Sequence, residues 1–274
     1  MEQPARTRLA RDSAETALVR VVHHYGSRPE FVLLGGLVPE LLCERGPYTH
    51  VGTTDVDVQV NLEIAAASAN MPRLENALRN AEFEPDPERA WRWRTIESGA
   101  NVKFELLADL EDVKNSEKLV FDDCEALGAV NLRGTGYAAR DVDVRILTAR
   151  IGDLERTVEM NVAGLGGFLL AKVSAARERR AAKDWYDIAF VLLHNDRGGP
   201  EQAARRVREK FERPRGPLET SLIDLQANFE TPSSQGSLAY VAGMREQHPE
   251  LDSVEVAADA VTSVQAFVPL VLQD

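Results

Sequence analysis

The stretch "FVLLGGLVPELLCERGPYTHVGTTDVDVQVNL", residues 31–62, constrains the fold more than any other part of this chain. "FVLL" is a short apolar run of the strand-forming kind, and Gly35 and Gly36 follow it at once. Adjacent glycines allow a tight turn and a close backbone approach that side chains would block. "LVPELLCER" then has helical spacing, with Pro39 in the first turn, where its missing N–H is tolerated. After the loop "GPYTHVGT", Thr54 to Leu62 alternates with period two and predicts a strand. A strand, a glycine turn, a helix and a strand in this order point to a mixed sheet with helices beside it.

On that second strand, residues two apart share a face. Asp55 and Asp57 therefore project together, and Val56, Val58 and Val60 point to the other side, into a core. Two carboxylates side by side repel unless solvent or a cation relieves them. A site of oxygen ligands with open positions suits Mg²⁺, which commonly takes one or two carboxylates together with substrate phosphates. A later segment, "NVKFELL", offers a third acid: Val102, Phe104 and Leu106 share one face, Lys103, Glu105 and Leu107 the other. If this strand lies beside the first, Glu105 completes a cluster able to hold two divalent ions for phosphoryl or nucleotidyl transfer.

"DVDV" also recurs at Asp141 to Val144, between Arg140 and Arg145 and with no glycine turn upstream. That copy reads as a solvated strand edge, so the weight of the first copy comes from its context. The glycine pair is that context, since glycines at a strand-to-helix turn let backbone N–H groups approach a phosphate.

Further along, "MPRLENALRNAEF" predicts an amphipathic helix, and "WRWRTI" and "NVKFELLADL" predict strands around the turn "ESGAN". From Glu111 to Asn161 the pattern weakens, with "RDVDVRILT" and "RTVEMNV" as strands that form a hairpin or a sheet extension. From Val162 onward helical patterns dominate, including Phe168 to Arg180, Asp184 to His194 and Glu201 to Glu212, with one or two more helices in the tail. The expected fold is α+β: residues 1–161 form a mixed sheet flanked by helices, and residues 162–274 a mainly helical domain. "NVAGLGGFLLAK" has glycines at a strand-to-helix junction, but its third fingerprint position is Leu169 and no GK[ST] follows, so dinucleotide and Walker readings are weak.

Composition narrows the function classes. The 274 residues carry a net charge of −12, which opposes indiscriminate attraction to nucleic acid and leaves a local basic face as the route to it. "KVSAARERRAAK" is the candidate, with Lys172, Arg179 and Lys183 on one helical stripe. Cys43 and Cys124 stand far apart and the histidines are scattered, so neither a disulfide framework nor a zinc site is suggested. No apolar run approaches the roughly eighteen residues that span a bilayer, and the N-terminus lacks a secretory h-region. The expectation is a cytoplasmic protein without membrane contact.

At this point the residues resemble a known superfamily. "LLGG", "GTTDVDV" and "VKFELL" resemble the nucleotidyltransferase fold of DNA polymerase β-like enzymes. "GGLVPELL", "HVGTTDVDVQV" and "LGGFLLAKVSAARERRAAKDWYDIAFVL" look more narrowly like the AbiEii-type, toxin-like nucleotidyltransferases of toxin–antitoxin and abortive-infection pairs. The resemblance spans roughly residues 31–194 and implies transfer of an NMP from an NTP to an acceptor hydroxyl, with Mg²⁺ or Mn²⁺. It implies that Gly35, Gly36 and Thr54 bind the nucleotide, that Asp55, Asp57 and Glu105 bind metal, and that Lys172 contacts phosphates. Asp184 or Asp187 would be the second-motif acid. Leu37 stands where the family often has a hydroxyl residue, and Glu105 where it commonly has Asp. The acceptor stays open between RNA such as tRNA, a protein and a small molecule, and a cognate antitoxin is an implied partner. The rival class is a noncatalytic nucleotide-binding or partner-binding module of the same fold.

Overall fold

In the computed structural model, residues 8–60, 62 and 70–273 are described. The chain divides into two compact units: Met1–Val38 with Gly52–Ala163, and Pro39–Val51 with Gly164–Asp274. The segment Pro39–Val51, read from the sequence as part of the first domain, therefore belongs to the second unit.

The first unit is a mixed sheet with helices against it. Helix α1 (Arg8–Tyr25) leads to β1 (Val32–Leu34), a 3₁₀ turn (Gly35–Leu37) and the start of α2 (Val38–Leu42). The "DVDV" strand is β2 (Asp55–Gln59), shorter than the Thr54 to Leu62 run, and position 61 of that run lies outside the described residues. Helix α3 (Met71–Asn80) begins on Asn70, whose side chain accepts from the Arg73 N–H. Then come β3 (Glu84–Pro85), β4 (Arg92–Glu97) and β5 (Ala100–Ala108). Between β4 and β5, Ser98 and Gly99 both have positive φ, the geometry of a two-residue hairpin turn.

Residues 111–140, where the periodicity fails, contain β6 (Lys118–Val120), β7 (Gly128–Asn131) and the short α4 (Gly136–Arg140). Buried polar side chains, rather than an apolar repeat, hold this region. The carboxylate of Glu75, 5% exposed, accepts from the N–H groups of Glu125 and Ala126, each at 2.9 Å. Burial opposes its charge, and these bonds together with Arg79 outweigh it, so its pKa is lowered. The fully buried Asn131 amide donates to the carbonyls of Leu110, Val113 and Lys114 and accepts from Leu110 N–H. Of the hairpin and the sheet extension that the sequence left open, the structure has a hairpin: β8 (Val142–Ile151) and β9 (Leu154–Ala163) pair antiparallel along their whole length.

The strand order is β3-β4-β5-β2-β1-β9-β8, with β7 on β5 and β6 on β7. Strand β2 runs antiparallel to β1 and parallel to β5, so both halves of the sequence signal lie side by side at the middle of the sheet. Val56, Val58, Phe104 and Leu106 are fully buried, and the acids on the same strands face the other way.

The second "DVDV" takes the opposite orientation. There Asp141 is 1% exposed, whereas Val142 and Val144 are exposed at 37% and 49%. The solvated-edge expectation is thus corrected for Asp141, which is buried at the point where α4 ends and the chain turns into β8.

The second unit is helical. Helices α5 (Leu165–Arg179) and α6 (Ala182–His194) form a hairpin whose corner is Arg180, left-handed at φ 48°. Helices α7 (Pro200–Lys210), α8 (Pro217–Asn228), α9 (Gln235–Gln247) and α10 (Ser253–Leu272) follow, three of them beyond Glu212 where one or two were expected. Trp185, Tyr186 and Phe190 are buried, as a core reading requires. Contrary to the sequence expectation, α10 is long and apolar enough by length and composition to cross a membrane, with a mean hydropathy of 1.4. Its Val256, Ala260, Val264, Phe267, Val268 and Val271 are buried against the unit's other helices, which accounts for the apolar composition as that of a core helix.

Candidate active site

Glycine and aspartate meet at the centre of the sheet. Leu34 and Asp57 are register partners, so the turn that follows β1 folds directly over the second acid of β2. Gly35 has φ +79°, and a Cβ placed on it would lie 2.0 Å from Oδ2 of Asp57. Only glycine fits there, both for its backbone angle and for the carboxylate packed against it. At Gly36 a Cβ would lie 3.0 Å from Thr53 Cγ2, a tight but milder contact. Thr53 also accepts the Asp55 N–H on its hydroxyl at 3.1 Å, and Thr54 is buried, its carbonyl accepting from Lys103 N–H. Asp55 and Asp57 are both half-buried on one face, as the alternation predicts.

The parallel register of β2 with β5 sets Asp57 opposite Glu105 and Asp55 opposite Lys103. Lys103 Nζ donates to Asp55 Oδ1 at 3.0 Å. On the other side of β5, β4 places Arg92 opposite Glu105, and its guanidinium binds Glu105 Oε1 through both Nε and Nη2. Asp55 and Glu105 thus have cationic partners. No group of three or more His, Cys, Asp or Glu among the described residues is placed to hold a metal ion. Glu105, the acid opposite Asp57, is engaged by Arg92. Asp55 and Asp57, on one half-exposed face, have the chemistry that a hard cation completed by phosphate oxygens takes, and at Asp55 such an ion would take the place of the Lys103 ammonium.

The second unit gathers the other predicted residues. Lys172, 7% exposed, donates to Asp187 Oδ2 at 2.7 Å and to Asp184 Oδ1 at 3.3 Å. Arg179 Nη2 reaches Asp184 Oδ1 at 2.9 Å, and His50 Nε2 lies 2.9 Å from Asp187 Oδ1. The helical hairpin explains the meeting: Lys172 and Arg179 are seven apart on α5, Asp184 and Asp187 three apart on α6. Burial works against the Lys172 charge, but Asp187 and Asp184 outweigh it and hold its pKa above the usual lysine value. The resemblance gave Lys172 a phosphate; the structure gives its ammonium two carboxylates.

No family model matches the chain, and no curated protein is significantly similar to it in sequence. Among solved structures, an antigenic nucleotidyltransferase-like protein from Paracoccidioides brasiliensis is similar, with a TM-score of 0.33 and 13% identity. The similarity covers 94% of this chain and 95% of that one. So distant a likeness leaves the functional reading resting on the site itself.

The first unit brings together Gly35, Gly36, Thr54, Asp55, Asp57 and Glu105, and the second unit brings together Lys172, Asp184 and Asp187. Sequence reasoning missed Lys103, Arg92 and His50. The alternation of "WRWRTI" and "NVKFELL" already put Arg92 and Lys103 on definite faces; which acid each one meets depends on strand register. Nothing local marked His50, whose partner lies 137 residues away.

Proposed function

We propose that the first unit binds a nucleoside triphosphate across the Gly35–Gly36 turn and the Asp55–Asp57 face, and transfers its NMP to an acceptor hydroxyl. The observation that carries this reading is the approach of Asp57 to the Gly35 backbone, which couples the glycine turn to the second acid of β2. Mg²⁺ or Mn²⁺, held by Asp55 and Asp57 together with the phosphates, would supply charge neutralisation at the reacting phosphoryl group. The chain's own part is to fix geometry. Gly35 sets the distance from turn to carboxylate, Thr53 and Lys103 orient Asp55, and Arg92 restrains Glu105. On the further resemblance, we place the chain as the toxin-like part of a toxin–antitoxin or abortive-infection pair, with RNA such as tRNA, a protein or a small molecule as acceptor.

A specific observation favours a second reading. Ion pairs at Asp55 and Glu105, with no three-acid group among the described residues, suit a noncatalytic nucleotide-binding module of the same ancestry. Labelled NTPs with Mg²⁺ and each acceptor class separate the two. Transfer that is lost in Asp57→Ala supports the enzyme. Calorimetric NTP binding without turnover on any acceptor supports the module, and full transfer by Asp57→Ala overturns the proposed site.

A further inference from the structure

The basic stripe expected over residues 172–183 is largely consumed within the fold. Lys172 and Arg179 serve Asp184, Arg180 serves Asp224 at 2.8 Å, and Arg177 donates to the Pro217 carbonyl. Two other cations, Arg197 and Arg205, face outward. Arg197, Gln202, Arg205, Arg206 and Glu209 line a concavity of about 290 Å³ in the second unit. Among the described residues neither Arg197 nor Arg205 has an ion-pair partner.

The wall that carries Arg197 is pinned in advance. Asn195, 5% exposed, donates its amide to the carbonyls of Val191, Leu192 and Gly199 and accepts the Arg197 N–H at 3.2 Å. Gly198 and Gly199, at φ 107° and 91°, turn the chain into α7. That helix buries Ala203, Ala204 and Val207, which leaves Gln202, Arg205 and Arg206 on the sides that border the hollow. Arg197 and Arg205 bring two guanidinium groups without an ion pair to a hollow whose lining includes one carboxylate, Glu209, which favours an anion between them. Planar guanidinium forks match phosphate oxygens, and a pinned loop lowers the ordering cost of binding.

We propose that this concavity is a phosphate-binding site, separate from the Gly35–Asp57 site and independent of its assignment. A phosphodiester of RNA and a small free phosphate share this chemistry. Full-length wild type and the Arg197→Ala/Arg205→Ala variant, both checked by circular dichroism, would be titrated with a short fluorescent single-stranded RNA and, separately, with inorganic pyrophosphate. The expected result is a loss of about tenfold or more in affinity for one probe. If the probe is RNA, the log–log salt slope becomes shallower by about 1.4, roughly 0.7 per lost cation. Loss for RNA identifies a phosphodiester ligand, and loss for pyrophosphate a small phosphate. Glu209→Gln is expected to tighten the same probe severalfold. Asp57→Ala is expected to leave the arginine-dependent binding unchanged, so failure of either site is visible alone. Equal affinity of wild type and the double variant for both probes, or binding of neither by wild type, overturns the proposal.

Discussion

The carboxylate of Asp57 occupies the space where a side chain on Gly35 would begin, with Oδ2 2.0 Å from the Cβ position. Gly35→Ala must therefore displace Asp57 and also adopt φ +79°, where an L side chain is strained. We expect it to cost about 2–4 kcal/mol in urea unfolding. Gly36→Ala meets the Thr53 side chain at 3.0–3.3 Å, with no positive φ, and should cost about 1 kcal/mol or less. A Gly35→Ala protein as stable as Gly36→Ala would mean that the turn and the acid are not coupled.

Arg92 and Glu105 form the second testable pair, with side chains 17% and 18% exposed. Such a pair is well shielded, and a double-mutant cycle on Arg92→Met and Glu105→Gln should give a coupling of about 1–2 kcal/mol. The cycle can also be run on nucleotide transfer. If the pair only stabilises the sheet, the double variant regains most of the activity lost in either single one. If Glu105 also acts on substrate, both variants that carry Glu105→Gln stay low.

The unequal legibility of this chain has physical causes. Strands β1, β2, β4, β5, β8 and β9 could be read because alternation or an apolar run reports which side faces a core. Residues 111–140 could not, because Glu75 and Asn131 hold them through hydrogen bonds that leave no periodic trace. The two "DVDV" copies make the same point. The motif fixes which residues share a face, and the neighbouring elements decide which face is buried: valine in β2, Asp141 at the start of β8. Ion pairing was the least legible level. Lys103 and Arg92 become partners of the acids only through the registers of β5 with β2 and β4.

His194 predicts an acid-sensitive second unit. Burial, with His248 nearby, lowers its pKa to about 4, and its Nε2 is hydrogen-bonded to the Tyr240 hydroxyl at 2.9 Å. Because the folded pKa lies below the ordinary value of about 6.5, the unfolded chain takes up the proton first as pH falls. Stability should then drop between about pH 6.5 and pH 4, by on the order of 2–3 kcal/mol, and this contribution levels off below. His194→Gln keeps an acceptor for Tyr240 and removes the titration. Its melting temperature should change less over this window than that of wild type, and parallel curves would refute the assignment.

Lys172 separates a structural from a substrate-contacting role. Asp184 and Asp187 are 0% and 1% exposed, and Lys172 neutralises both with help from Arg179 at Asp184. Removing one partner of a buried charge set typically costs about 3–5 kcal/mol, because the remaining charge is left without compensation. Lys172→Met should destabilise by that amount, and Lys172→Met/Asp187→Asn should recover part of it by removing the acid left behind. The raised pKa of Lys172 means that its contribution is fully present below the ordinary lysine value of about 10.4 and is lost as pH rises through the higher folded value. Transfer assayed well below the melting temperature of the recovered double variant then decides the role. Activity restored along with stability marks Lys172 as a scaffold residue. Activity still absent from a well-folded double variant shows that this buried cluster acts in the reaction as well as in the fold.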